Sequence, residues 1–147
     1  MTERVQALME WTGKESATII FDSTTDEFTR RGFFDKIRGK PNIALVATTS
    51  EGDVFGGFYS VAVTRQDKYF YDPNNFAFSF ESHGRCLTPQ RFAVKEEYKD
   101  KAFVEFFRYN SIGGFAVFCV YGICGFYLGN EKSKSFFRNM SSGLEGI

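Results

Sequence analysis

One histidine, His83, and three cysteines, Cys86, Cys119 and Cys124, are the residues best suited to ligand or nucleophile chemistry. His83-x-x-Cys86 and Cys119-x₄-Cys124 lie 32 residues apart and together offer four donors of the kind zinc takes. That gap has no finger-like spacing, and small buried hydrophobes are the commoner role of free cysteines. Register bears on the pair. A tight hairpin at Tyr121-Gly122 would set Cys119 directly opposite Cys124, whereas an uninterrupted strand would turn them to opposite faces. Burial in the uncharged segment that holds them would suppress their reactivity and make them structural.

Other constellations are weaker. No G-x-S-x-G elbow exists, and a loop histidine beside Gly84 is usually solvated rather than held as a base. Gly32-x₆-Gly39-Lys40-Pro41 has six intervening residues, and Pro41 stands where a phosphate loop needs Ser or Thr to hold magnesium. Asp22, Asp26 and Glu27 do not fit a calcium loop, and a strand end followed by a helix cap explains them. Arg30, Arg31, Lys36, Arg38 and Lys40 around Phe33 and Phe34 could form a basic aromatic patch for nucleic acid. A helix with its Phe stripe inward and its charges in water accounts for them equally. No catalytic residue, cofactor or metal is expected.

The elements that would position these residues follow from composition and pattern. The chain has 147 residues, 43% apolar and 24% charged, with 18 basic and 18 acidic side chains. That length suits one domain, and the absence of net charge argues against a dedicated nucleic-acid or polybasic membrane binder. Nineteen phenylalanines and three prolines exclude collagen-like, coiled-coil and disordered classes. The odd cysteine count cannot close a full disulfide framework, and no secretory signal is seen, so a reducing, cytoplasmic setting is expected.

Ile112–Gly129 is an uncharged run of 18 residues, the least a membrane helix needs. Five glycines (113, 114, 122, 125 and 129) weaken any helix there, and the Phe, Val, Tyr and Ile between them suit buried strands. No transmembrane segment is expected. Helices are expected at about residues 3–11, with Val5, Leu8 and Met9 on one face, and 25–38, opened by a Thr24-x-x-Glu27 capping box and closed by Gly39. Strands are expected at Ala17–Asp22, Asn42–Thr49, Val54–Val63, Lys68–Asp72, Phe76–Ser82, Ala102–Arg108, Phe115–Tyr121 and Gly125–Leu128. Glu51-Gly52-Asp53 and Pro73-Asn74-Asn75 read as turns, and residues 83–101 as a polar excursion over the surface. The fold class is therefore mostly β, as a sandwich or barrel with two short N-terminal helices.

In this order the chain resembles the TLDc domain of the oxidation-resistance proteins. The resemblance rests on Ile19-Ile20-Phe21-Asp22-Ser23, on the helix ending Ile37-Arg38-Gly39-Lys40, and on Gly52-x-Val54-Phe55-Gly56-Gly57-Phe58. It continues through Phe76-Ala77-Phe78-Ser79-Phe80 and through Gly125-Phe126-Tyr127-Leu128-Gly129-Asn130-Glu131 followed by Ser135-Phe136-Phe137-Arg138-Asn139. Residues 83–101 match the pattern poorly. The acidic residue usual after the leucine of the last signature is displaced here to Glu131, behind Gly129-Asn130. The resemblance implies one domain over residues 1–147, abbreviated at its C-terminus, built as a β-sandwich of two antiparallel sheets. It also implies a non-enzymatic module in oxidative-stress protection, with a protein partner such as a subunit of the vacuolar proton-pumping ATPase. No established catalytic residue comes with it.

The alternatives are an uncharacterised enzyme or ligand-binding β-sandwich and, below it, a nucleic-acid-binding stress regulator. For an interaction module, the candidate partner surface is the set of Gly-rich connections Gly113, Gly114, Gly125, Gly129, Asn130, Glu131 and Lys132. Small residues let a partner's backbone approach closely, although the same glycines could simply turn the chain between buried strands. Oligomeric state is not legible.

Overall fold

The computed structural model describes residues 2–26, 30–64, 69–84 and 87–103, together with short strand segments at 114–116, 119–120, 123–124, 126–129 and 136–137. Two helices come first, α1 (Glu3–Thr12) and α2 (Arg30–Ile37). Strands β1 (Ile43–Thr48), β2 (Val54–Tyr59), β3 (Phe76–Glu81) and β4 (Gln90–Ala93) form one antiparallel sheet in the order β1-β2-β3-β4. A 3₁₀ turn over Glu96–Lys101 leads into β5 (Ala102–Phe103). The remaining strands are β6 (Gly114–Ala116), β7 (Cys119–Val120), β8 (Ile123–Cys124), β9 (Phe126–Gly129) and β10 (Phe136–Phe137). They pair antiparallel as β10-β9-β6 and β5-β7-β8. The protein is mostly β.

Helix α1 begins where the Thr2 hydroxyl accepts the Val5 N–H at 3.3 Å. It ends at Gly13, whose φ of 70° lets its N–H reach the Met9 carbonyl at 2.9 Å. The face it packs inward is Ala7, Leu8 and Trp11, while Val5 is exposed. These meet Val54, Phe58, Phe76, Phe78 and Phe80 on one side of the sheet. The pleat turns Ile43, Leu45, Tyr59 and Ala77 to the other side, against Phe33, Phe34 and Ile37 of α2. Val63, Val94 and Ala102 complete that second core. The central strands β2 and β3 are therefore buried along both faces for most of their length, while β1 and β4 keep an exposed side, and Ala77 is as buried (2%) as Phe78 (2%). Ser79 and Glu81, on the same face as Ala77, are only half-buried. Close packing needs a gap at Gly56, where an added Cβ would lie 2.5 Å from the Phe78 ring and 1.8 Å from the Leu45 carbonyl oxygen.

Several expected boundaries move, each for a local reason. Ala17–Asp22 forms no strand; Ile20 and Phe21 pack on the α2 core while Ile19 stands exposed. Helix α2 starts later than residue 25, because Asp22 folds residues 23–26 into a turn: its carbonyl accepts the Thr25 and Asp26 N–H groups at 3.1 and 2.7 Å. Strand β2 stops at Tyr59 rather than Val63, since the next two N–H groups, of Ser60 and Val61, turn to the Asp72 carboxylate. The 83–101 stretch is only partly an excursion. It contains β4, the edge partner of β3, and the almost completely buried Val94.

Of the expected Lys68–Asp72 strand, the described part reduces to a single bridge from Phe70 to Ala102. Phe115–Tyr121 is not one strand, for β6 joins the β9 ladder and β7 joins β5 and β8. Most of the expected Ala102–Arg108 strand and the helix positions 27–29 lie outside the described residues. Within the uncharged 112–129 run the described segments are strands, and no helix among the described residues is long and apolar enough to cross a membrane.

Candidate functional site

Turn chemistry places His83. Gly52, at φ 91°, makes the β1–β2 turn, in which the Thr49 N–H reaches the Asp53 carbonyl at 2.9 Å. Asp53 leaves that turn with its carboxylate aimed at the end of β3. There the His83 backbone N–H donates to Asp53 Oδ1 at 2.8 Å, and His83 Nδ1 lies 3.1 Å from the same oxygen. His83 Nε2 lies 3.1 Å from Glu51 Oε2, so each ring nitrogen faces a different carboxylate. A backbone φ of 51° at His83 turns the side chain back toward the β1–β2 turn.

The donor atoms of Glu51, Asp53 and His83 fall within 4.8 Å of one another, an arrangement a cation could also use. One ring cannot direct both nitrogens at a single ion, so such an ion would engage one of the two carboxylates and leave the other orienting the ring. As it stands, the group ties two loop ends together across 30 residues of sequence. The four zinc-type donors named from spacing do not all fall within the described residues. His83 is committed to Glu51 and Asp53, Cys86 lies outside the described residues, and Cys119 and Cys124 sit opposite each other in the β7–β8 ladder.

A second polar centre had no sequence signal. Asp72 is fully buried, and its carboxylate accepts from the backbone N–H of Ser60 (2.8 Å), Val61 (3.3 Å) and Asn74 (3.0 Å) and from the Ser60 hydroxyl. Its own N–H donates to the Lys99 carbonyl at 2.9 Å, so one residue fixes the end of β2, the turn before β3 and the 3₁₀ turn. Beside it Asn75 donates from Nδ2 to the Phe58 carbonyl at 2.7 Å. These contacts position the strands and reach no open surface, since Asp72 and Asn75 are both buried.

The remaining candidates resolve into local structure. The Thr24 hydroxyl and then the Thr24 N–H donate to Asp22 and hold its carboxyl below the usual carboxylate value. Asp26 is turned back to accept the Asp22 N–H at 2.8 Å, which closes the turn between them. On α2, Phe33 and Phe34 are buried, Arg38 lies over the Phe34 ring at 4.7 Å and beside Asp35 at 3.5 Å, and Lys40 Nζ donates to the Lys36 carbonyl. Gly39 occupies the left-handed position (φ 73°) that ends this helix. The glycine-lysine pair is thus a helix terminus rather than a phosphate cradle.

Of the partner surface expected from sequence, the described part is the pair Gly114 and Gly129, which face each other across the β6–β9 ladder. Gly113, Gly125, Asn130, Glu131 and Lys132 lie outside the described residues.

The order of these elements, with the glycine pair of β2 and the Phe-rich β3, agrees with the match of a family model, TLDc domain, to residues 1–143. The chain belongs to the TLDc domain family. No curated protein matches it. Membership covers the stretch that had matched the motif pattern poorly. Within this TLDc chain β4 supplies the fourth strand of the first sheet from that same stretch.

Proposed function

We propose that this TLDc chain is a non-enzymatic protein-interaction module in oxidative-stress protection, acting in the cytoplasm on a subunit of the vacuolar proton-pumping ATPase. The observation that carries the reading is the family match over residues 1–143. The chain acts as one domain over residues 1–147 in this reading. The β1–β4 sheet forms one layer of a two-sheet sandwich, and the later ladders contribute to the other. The partner surface comprises Gly113, Gly114, Gly125, Gly129, Asn130, Glu131 and Lys132. The Gly114–Gly129 pair supports this, because a cross-strand position with no Cβ on either side leaves room for a partner's backbone.

The test is direct binding of the purified full chain to the isolated peripheral sector of the vacuolar ATPase. Wild-type protein is expected to bind, and the double variant Glu131→Ala/Lys132→Ala to bind about tenfold more weakly with an unchanged melting temperature. Equal binding by both forms would remove this surface. Absence of binding by the wild type would remove the ATPase as partner.

A further inference from the structure

We propose that Cys119 and Cys124 form a reversible intramolecular disulfide, making the β7–β8 hairpin a peroxide-accepting redox site. The inference rests on register, is independent of the ATPase reading, and departs from the inert, structural role that the sequence alone suggests for this pair. Cys119 is the direct antiparallel partner of Cys124, and Val120 is the partner of Ile123. Only two residues of sequence, Tyr121 and Gly122, separate the strands, so Val120 and Ile123 are the pair that closes the hairpin. Hydrogen-bonded and non-hydrogen-bonded pairs alternate along an antiparallel ladder. The next pair out, Cys119 and Cys124, is therefore of the non-hydrogen-bonded kind, whose Cα atoms lie about 4.5 Å apart. A disulfide spans roughly 4.4–6.8 Å between Cα atoms, so the bond can close with little backbone movement.

The same geometry makes the bond easy to open. Directly opposed Cβ atoms sit about 4.5–5.5 Å apart, at the short end of that range in a non-hydrogen-bonded pair, while a disulfide prefers about 3.5–4.5 Å, so closure draws the strands only slightly together. The closed loop is very short, and little chain entropy is removed from the unfolded state. A slightly strained bond with little loop-closure gain belongs with labile disulfides rather than permanent ones. Zinc does not compete on equal terms. Two thiolates need two more ligands, and the His83 ring already faces Glu51 and Asp53.

The oxidant is a hydroperoxide. One thiolate attacks a peroxide oxygen, the O–O bond breaks, and a sulfenic acid forms as hydroxide leaves and is protonated to water. The facing thiolate then attacks the sulfenic sulfur, the S–O bond breaks, and a second water is released. With hydrogen peroxide, two thiols lose two electrons and two protons in total, and the peroxide is reduced to two waters. A dithiol reductant reverses the bond by exchange.

The test treats the purified full chain with stoichiometric hydrogen peroxide, then blocks free thiols and reads intact and tryptic masses. The peptide carrying both cysteines is expected to lose two hydrogens, with its two alkylation sites protected together and released together by reduced thioredoxin. Cys86→Ser should behave as wild type, and Cys119→Ser and Cys124→Ser should each lose the bond. The proposal is overturned if both cysteines stay free, or if they oxidise separately to sulfinic acids or glutathione adducts without the paired loss. Because the decisive readout is made on wild-type protein, misfolding of a serine variant would not rescue it.

Discussion

The indole of Trp11 lies nearly parallel to the ring of Phe80, with centroids 6.1 Å apart and planes inclined by 13°. Trp11 also meets Phe76 edge-on at 5.8 Å, and Arg91 of β4 lies over both rings, 6.0 and 5.5 Å from their centroids. A single helix side chain thus ties α1 to the Phe stripe of β3, and a cation from the edge strand covers it. Trp11→Ala is expected to cost about 2 kcal/mol of unfolding free energy, less than a fully buried aromatic because Trp11 is half-buried. Urea denaturation followed by far-UV circular dichroism measures it, and a loss below about 1 kcal/mol would show that α1 is not docked this way.

Asp72 anchors the other end of the sheet. Replacing it with Ala leaves the Ser60, Val61 and Asn74 N–H groups without their carboxylate. An unsatisfied donor costs up to about 1–3 kcal/mol where water cannot replace its partner, and three donors lose the same carboxylate at once, so Asp72→Ala should destabilise more than Trp11→Ala, with Asp72→Asn in between. Thermal melts of the three proteins give the order directly.

Gly56 and Gly52 make opposite demands on a methyl group. At Gly56 the added carbon collides with the Leu45 carbonyl oxygen and the Phe78 ring, whereas at Gly52 it meets open space and only the left-handed φ of 91° opposes it. Gly52→Ala should cost about 1–2 kcal/mol, and Gly56→Ala more, because backbone as well as side chain must move. Equal costs would contradict the close approach of β1 and β3 at Gly56.

Asp22 contributes a pH dependence with a definite sign. Its folded carboxyl titrates below the usual carboxylate value because of the Thr24 hydroxyl and Thr24 N–H. Its contribution is therefore complete above the unfolded value and is lost as pH falls through the folded one. Stability of the wild type relative to Asp22→Asn should be greatest near neutral pH and should vanish in strong acid. A difference that grows with acidification would reverse the assignment.

How far the sequence carried the fold depended on where each signal resided. Phe76, Phe78 and Phe80 announced β3 because period two is a local property, and Gly52 and Gly39 announced their turns because few other residues tolerate positive φ. Strand β4, Gln90-Arg91-Phe92-Ala93, was invisible because a short polar edge segment becomes a strand only through its partner β3. The apolar run Ala17–Asp22 misled for the converse reason: it carries β-type residues but covers a core without pairing.

Sites were less legible than strands. The Glu51–His83 contact joins residues 32 apart and the Ser60–Asp72 contacts residues 12 apart, so neither leaves a spacing motif. The Cys119–Cys124 pairing was legible only as one of two registers, and the ladder selects the hairpin.

The central claim, that this TLDc chain protects against oxidative stress through Glu131, Lys132 and the glycines around them, is tested most directly by complementation. Cells lacking the gene receive wild-type chain, the Glu131→Ala/Lys132→Ala variant at matched abundance, or empty vector, and survival after a hydrogen peroxide pulse is counted. The account predicts that the wild type restores survival and that the variant resembles the empty vector despite a wild-type melting curve. Full protection by the variant, or none by the wild type, would contradict it.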